Sequence, residues 1–193
     1  MSQEIEIEFK NLLTETEYEQ LTEELPFNTD NRFTQTNYYF ETEEFDLKER
    51  GCALRIRKKK DSWTATLKEP HVDGLLETHD TLTEEEVRAW MNDAPSPAPN
   101  IELRLQNMGL SFSDVQFKGA LITERMEVPY QNTLLVLDRS HYNQQTDYEL
   151  ELEAKEKEHG EHVFNEILEQ YSIPKRETPN KIQRFFSTVS KSY

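Results

Sequence analysis

Charged and apolar residues alternate strictly over residues 4–10, with Glu4, Glu6, Glu8 and Lys10 set against Ile5, Ile7 and Phe9. A period of two predicts a strand with one charged face and one apolar face. The pattern returns in ALRIRKK at 53–59, where Arg55, Arg57 and Lys59 oppose Leu54 and Ile56. SWTATLKE at 62–69 is its predicted hairpin partner through Lys60 and Asp61, with Thr64, Thr66 and Lys68 on one face and Trp63, Ala65 and Leu67 on the other. YELELEAK at 148–155 places Glu149, Glu151 and Glu153 opposite Leu150 and Leu152. Further strands are predicted at 34–41 (TQTNYYFE), 75–82 (LLETHDTL), 117–130 (FKGALITERMEVPY) and 133–142 (TLLVLDRSHY).

Helices are expected between these strands. Residues 14–25 carry Thr14 as N-cap and Glu17 at the capping-box position, and Thr83 opens TEEEVRAWM with acids in the first turn, where the helix dipole favours them. The stiff APSPAP connector at 94–99 precedes a helix near 100–108 that Gly109 closes. Two more helices are predicted at 160–171 and 178–190. EAKEKEHGEH at 153–162 reads as a solvated connection, and Tyr38, Tyr39 and Phe40 read as wall packing, Tyr38 being the one considered for a place on the polar side.

Taken singly, each alternating strand reads as a half-buried sheet with a wet face. As a set they are sorted by charge: glutamates in the first and last, cations in ALRIRKK. Like charges at i and i+2, about 7 Å apart, repel, so a face selected for stability would mix the signs. About eight strands suffice to close a barrel. Turning the charged faces inward and the aliphatic faces outward, beneath the helices, satisfies both patterns. The predicted fold class is α+β: one domain over residues 1–193, a closed eight-stranded antiparallel β-barrel with flanking helices.

Composition narrows the chemistry. Of 193 residues, 38 are acidic and 22 basic, for a formal net charge of −16, which disfavours nucleic acid and anionic membrane as partners. Cys52 is the only cysteine, which suits a reducing cytoplasm. The N-terminus has no basic start and no apolar stretch, and no run approaches the roughly 20 apolar residues of a membrane span. Within an enclosed polar interior, carboxylate oxygens suit a hard cation such as Mg²⁺, while Arg forks and Lys ammoniums suit phosphate. Both in one cavity read as a site for a metal–polyphosphate complex.

Glu6-Ile7-Glu8-Phe9-Lys10 matches the E-x-E-x-K signature of the CYTH superfamily, the triphosphate tunnel metalloenzymes. The chain resembles that family over about residues 4–187: NYYFET at 37–42, LRIRK at 54–58, TLKEP at 66–70, Glu77, TERMEV at 123–128, the closing segment 137–153, and Lys181 and Arg184 in TPNKIQRF. The segment GLLETHD departs from the family pattern, in which many members carry an arginine just before the acid. The resemblance implies a triphosphate tunnel in which Lys10, Arg55, Arg57, Lys68, Arg125, Lys181 and Arg184 hold phosphates. By the same resemblance, Glu6, Glu8, Glu149, Glu151 and Glu153 would hold one or two Mg²⁺ or Mn²⁺ ions. The expected activity is metal-dependent hydrolysis of a triphosphate, most simply inorganic triphosphate, with Glu149, Glu151 and Lys10 as catalytic groups, in a monomer or homodimer. Three other readings stand beside it: an adenylyl cyclase acting on ATP, a polyphosphate-binding module without turnover, and a structural sheet protein. The five histidines show no zinc spacing with each other or with Cys52, and there is no P-loop or G-x-G-x-x-G motif.

Overall fold

The computed structural model describes residues 2–59 and 62–189. Eight strands close antiparallel into a barrel in the order β1-β5-β4-β3-β2-β6-β7-β8. They are β1 Ser2–Leu13, β2 Phe33–Glu41, β3 Ala53–Lys59, β4 Ser62–His71, β5 Gly74–Leu82, β6 Gln116–Tyr130, β7 Thr133–Tyr142 and β8 Gln145–Ala154. The described helices are α1 Glu15–Glu24, α2 Asp46–Glu49, α3 Glu84–Met91, α4 Pro99–Asn107, α5 Lys157–Gln170 and α6 Lys181–Val189. No described helix is long and apolar enough to cross a membrane. The chain clusters into two compact units, Met1–Ile5 with Gln35–Leu121 and Glu6–Thr34 with Ile122–Tyr193.

The capping box predicted at Thr14 is present, and the cap predicted at Thr83 is a full capping box as well. Thr14 and Thr83 accept from the amides of Glu17 and Glu86, whose carboxylates reach back to the cap amides. The four-residue α2 is too short for a periodic signal and was not anticipated. A tertiary contact fixes it: the buried Glu41 carboxylate accepts the amides of Thr42, Leu47 and Lys48 at 2.9, 2.9 and 2.8 Å. The expected connection at 153–162 shrinks to Lys155 and Glu156, because β8 runs through Ala154 and α5 begins at Lys157. The predicted turn at Lys60 and Asp61, and Ser190 at the end of the last helix, lie outside the described residues.

In the first unit, Leu54, Ile56, Ala65 and Leu67 are fully buried with Val87 and Trp90 of α3 and Ile101 and Leu105 of α4. Trp90 meets Phe40 and Phe112 edge-on, with centroids 5.1 Å away in each case. In the second, Leu135, Leu137, Leu150 and Leu152 pack on Tyr18 and Leu21 of α1 and Val163, Phe164, Ile167 and Leu168 of α5. Each buried aliphatic side chain contributes about 1.5–3 kcal/mol. Residues that alternate with these lie on the opposite face of the same strands, so the pattern read from the sequence assigns the charged positions to the side away from the helices.

Candidate active site

In the second unit, strand register determines which charges meet. Lys10 lies opposite Glu151 and Glu8 opposite Glu153 across β1 and β8. Glu149 lies opposite Asp138, and Asp138 opposite Arg125, across β8, β7 and β6. Directly paired residues share a face, so one patch collects Lys10, Arg125, Asp138, Glu149 and Glu151. From α6, Lys181 and Arg184 join it. The Arg125 guanidinium donates to both Asp138 oxygens at 2.7 and 2.6 Å and to Glu151 at 2.7 Å. The Lys181 ammonium contacts Asp138 and Glu149 at 2.8 Å each, and Glu151 more closely. Arg184 donates to Asp147 at 2.9 Å and its Nη2 lies against Glu149. Lys10 sits 3.0 Å from Glu8 and donates to the Asn180 side chain just before α6.

Asp138, Glu149 and Glu151 are buried to 0%, 1% and 6% exposure. Burial pushes Glu149 up to about 7 against the pull of Lys181, and the neighbouring Glu151 charge adds to the rise. Burial also disfavours ionised Glu151, but Lys181 and Arg125 outweigh it and hold that carboxyl well below the usual range. The pair therefore gains or loses one proton around neutral pH, with Glu149 the side that exchanges it and Glu151 remaining ionised.

In the first unit, Tyr39, Arg55, Thr66 and His79 form one cross-strand row and Asn37, Arg57 and Thr64 the next. Arg57 donates to Asn37 at 2.7 Å. Lys68 lies opposite Glu77 and 2.6 Å from its carboxylate. The buried Arg55 Nε has no hydrogen-bond partner among the described residues. The aromatic that shares the arginine face is Tyr39. Tyr38 pairs with Ile56 and packs with Trp63 and Phe117 on the helix side, as wall packing requires, so Tyr39 and not Tyr38 is the residue of this segment on the polar side.

Histidine spacing along the chain gave no metal signal, yet the fold brings donor atoms of Glu4, Glu77 and His79 within 4.8 Å of one another. His79 Nε2 lies 3.2 Å from Glu4 and 3.4 Å from Glu77, and Thr66 holds its Nδ1 at 3.0 Å. Glu4 and His79 are 75 residues apart, beyond any local motif. Asp138, Asp147 and Asn180 were also not assigned roles from sequence. Asp147 was visible in one respect, as the first member of the odd-numbered acidic row that runs through Glu149, Glu151 and Glu153.

The family model for the CYTH domain matches residues 4–186. A chain whose barrel presents a buried lattice of carboxylates, guanidiniums and an ammonium on E-x-E-x-K and Y-E-L-E-L-E strands is thus defined as a CYTH protein, and this chain belongs to the CYTH family. It is 42% identical over 192 residues, all of both chains, to a Bacillus subtilis protein named as a candidate triphosphatase, YjbK. It is 40% identical to a crystallised Bacillus halodurans protein described as a candidate adenylate cyclase, with a TM-score of 0.91 over 96% of this chain and 100% of that one. The fold is shared at 22% identity and a TM-score of 0.76, over 95% and 96% of the two chains, with a Hippeastrum protein, HpAC1, described as a candidate adenylyl cyclase with dominant triphosphatase activity.

Proposed function

We propose that this protein is a triphosphatase that hydrolyses a small triphosphate, inorganic triphosphate being the simplest, and that it acts as a single CYTH domain. The observation that carries the reading is the cluster of Arg125, Lys181 and Arg184 buried against Asp138, Asp147, Glu149 and Glu151. Burying this many ionised groups costs several kcal/mol per ion unless geometry compensates. A structural sheet has no use for such a cluster, whereas a site that must grip a polyanion does. The YjbK relative supports the same activity.

Lys10, Arg125, Lys181 and Arg184 are the proposed phosphate-binding groups of the second unit, and Arg55, Arg57 and Lys68 those of the first. Fixed cations neutralise charge on the phosphoryl group and the leaving oxygen without reorganising at the moment of reaction. The oxygen-only donors Glu6, Glu8, Glu149, Glu151 and Glu153 fit a hard divalent ion, Mg²⁺ or Mn²⁺. Such an ion would supply Lewis-acid charge at the phosphate oxygens and would make water there more acidic. Glu149, pushed up to about 7 chiefly by burial, is the proposed group that takes a proton from water near neutral pH; Glu151 stays ionised and orients Lys181 and Arg125. Cys52 is buried and its thiol pushed up to about 11, which makes it inert, in keeping with a cytoplasmic protein.

The test is a panel of tripolyphosphate, thiamine triphosphate and ATP with Mg²⁺ or Mn²⁺, with orthophosphate, pyrophosphate and cyclic AMP measured separately. Orthophosphate from tripolyphosphate is expected. The Bacillus halodurans relative favours a second reading as adenylyl cyclase, and cyclic AMP with pyrophosphate would establish it instead. Tight binding with no product under either metal would make the protein a polyphosphate-binding module.

A further inference from the structure

The hairpin joining β7 to β8 turns through Asn143 and Gln144, both with positive φ, 45° and 63°. That is the two-residue turn whose twist matches the flanking strands, and it locks the register so that Ser140 lies opposite Asp147 and Tyr142 opposite Gln145. Tyr142 is therefore the diagonal neighbour of Asp147 on the same face. Its hydroxyl donates to Asp147 Oδ2 at 2.6 Å, and Arg184 Nε donates to the same oxygen at 2.9 Å. Arg184 Nη1 donates to the Pro179 carbonyl at 2.6 Å, and Nη2 lies against Glu149. The next residue of α6, Phe185, packs its ring 6.2 Å from that of Tyr142, and Asn143 donates to Thr188 at 2.8 Å. The turn, the phenol and the helix thus converge on one guanidinium.

We infer that Asp147, oriented by the Tyr142 hydroxyl, is a positioning residue that aims Arg184. It pins Nε while the Pro179 carbonyl takes Nη1, so that Nη2 remains directed at Glu149 and at the phosphate chain proposed to bind there. Three features support a positioning role over a merely structural ion pair. First, a surface pair leaves the cation free to swing, whereas Arg184 is 9% exposed, hydrogen-bonded through Nε and Nη1, and in ionic contact with Glu149 through Nη2. Second, Asp147 is reached by a donor from the hairpin and a donor from α6, so it ties the helix that carries both Lys181 and Arg184 to the strand that carries Glu149 and Glu151. Third, a guanidinium presents a rigid fork, so fixing its Nε fixes the direction of both terminal nitrogens, which a lysine in its place would not allow.

This inference rests on the triphosphatase reading for its kinetic arm, and the experiment separates the two. Wild type, Asp147→Asn, Tyr142→Phe, Arg184→Met and the Asp147→Asn/Arg184→Met double variant are compared for tripolyphosphate hydrolysis. Asp147→Asn is expected to raise KM roughly tenfold, the effect of losing one charged hydrogen bond, with kcat changed less. Tyr142→Phe, which leaves the carboxylate in place, should shift KM in the same direction by a smaller factor. In the Arg184→Met background Asp147→Asn should change KM less than twofold, because a residue acting through Arg184 has nothing left to act on. A full tenfold effect in that background overturns the inference. A wild type that turns nothing over defeats the triphosphatase reading alone, and the inference is then decided by NMR. The Arg184 side-chain Nε–H resonance, assigned by its loss in Arg184→Met, should exchange slowly with water in wild type and rapidly in Asp147→Asn. Equal exchange in the two overturns the inference whatever the activity.

Discussion

Lys181→Met removes the ammonium while keeping the length and apolar stem of the side chain. That ammonium contacts Asp138, Glu149 and Glu151 at once, and is 12% exposed. Without it three buried carboxylates share Arg125 and Arg184, and these groups move from charge balance to one excess negative charge. Removing one partner of a buried ion pair costs about 3–5 kcal/mol. At about 2–4 °C per kcal/mol for a chain of this size, the melting temperature should fall by about 6–20 °C at pH 7 in a metal-free buffer. The loss must also depend on pH. Lys181 is the group that chiefly lowers Glu149 against its burial, so the variant raises that carboxyl further. A carboxyl raised on folding contributes stability that is fully present below its unfolded value and lost as pH rises through its folded one. The gap between wild type and variant should therefore be smallest near pH 5 and widen through pH 7 to pH 9. Differential scanning calorimetry at the three values checks this. A gap under about 3 °C throughout, or one that narrows as pH rises, would refute the burial and pairing on which the site is argued.

Gly160→Ala should lower stability by about 1–3 kcal/mol despite the better helix former, because a Cβ there would lie 2.5 Å from Ala154 and 2.7 Å from the Phe9 ring; urea denaturation measures it. Lys10→Ala should reduce tripolyphosphate turnover by roughly 10²–10³ with an unchanged circular-dichroism spectrum, and normal turnover would count heavily against the proposed site. The Arg176 fork, 2.8 and 2.9 Å from Glu17, holds that carboxyl below its usual value. Arg176→Met should therefore cost about 0.5–1 kcal/mol after solvent screening above pH 5, with the difference fading as pH falls toward 3. Tripolyphosphate and Mg²⁺ together should raise the melting temperature by more than the sum of their separate effects; simple additivity would argue against a shared site.

Much of this was legible because β-strand alternation is local. The apolar side of β3 and β4 read directly from Leu54, Ile56, Ala65 and Leu67, and the capping box at Thr14 and the cap at Thr83 needed only a few residues of context. What the sequence withheld was pairing. Nothing local says that Asp138 lies between Arg125 and Lys181, or that Tyr39 rather than Tyr38 shares the face of Arg55, because each depends on the register that paired strands adopt and, for Lys181, on where a helix more than 40 residues further on comes to rest. The same limit hid the meeting of Glu4 with His79. Gly160 was misjudged for a related reason. Among Glu158, His159, Glu161 and His162 it looks solvated, and only the approach of α5 to β1 and β8 explains a residue without a side chain there.

These pairings explain why the cluster can exist before any ligand arrives. Every cation in the second unit's patch has a carboxylate partner, and every carboxylate in contact with Lys181 has a second cation near it. A phosphate oxygen that takes Lys181 or Arg125 away from that lattice leaves buried carboxylates with one cation fewer to share, at a cost of up to several kcal/mol. A divalent ion that takes a carboxylate strands a cation in the same way. Each ligand alone breaks pairs it cannot replace, while the two together exchange one complete set of partners for another. By linkage the advantage is mutual: whatever the ion adds to polyphosphate affinity, polyphosphate adds to that of the ion. The proposed site should therefore prefer a metal-complexed polyanion to a free one because carboxylates exceed cations in its own walls, with no contact to the rest of the substrate required.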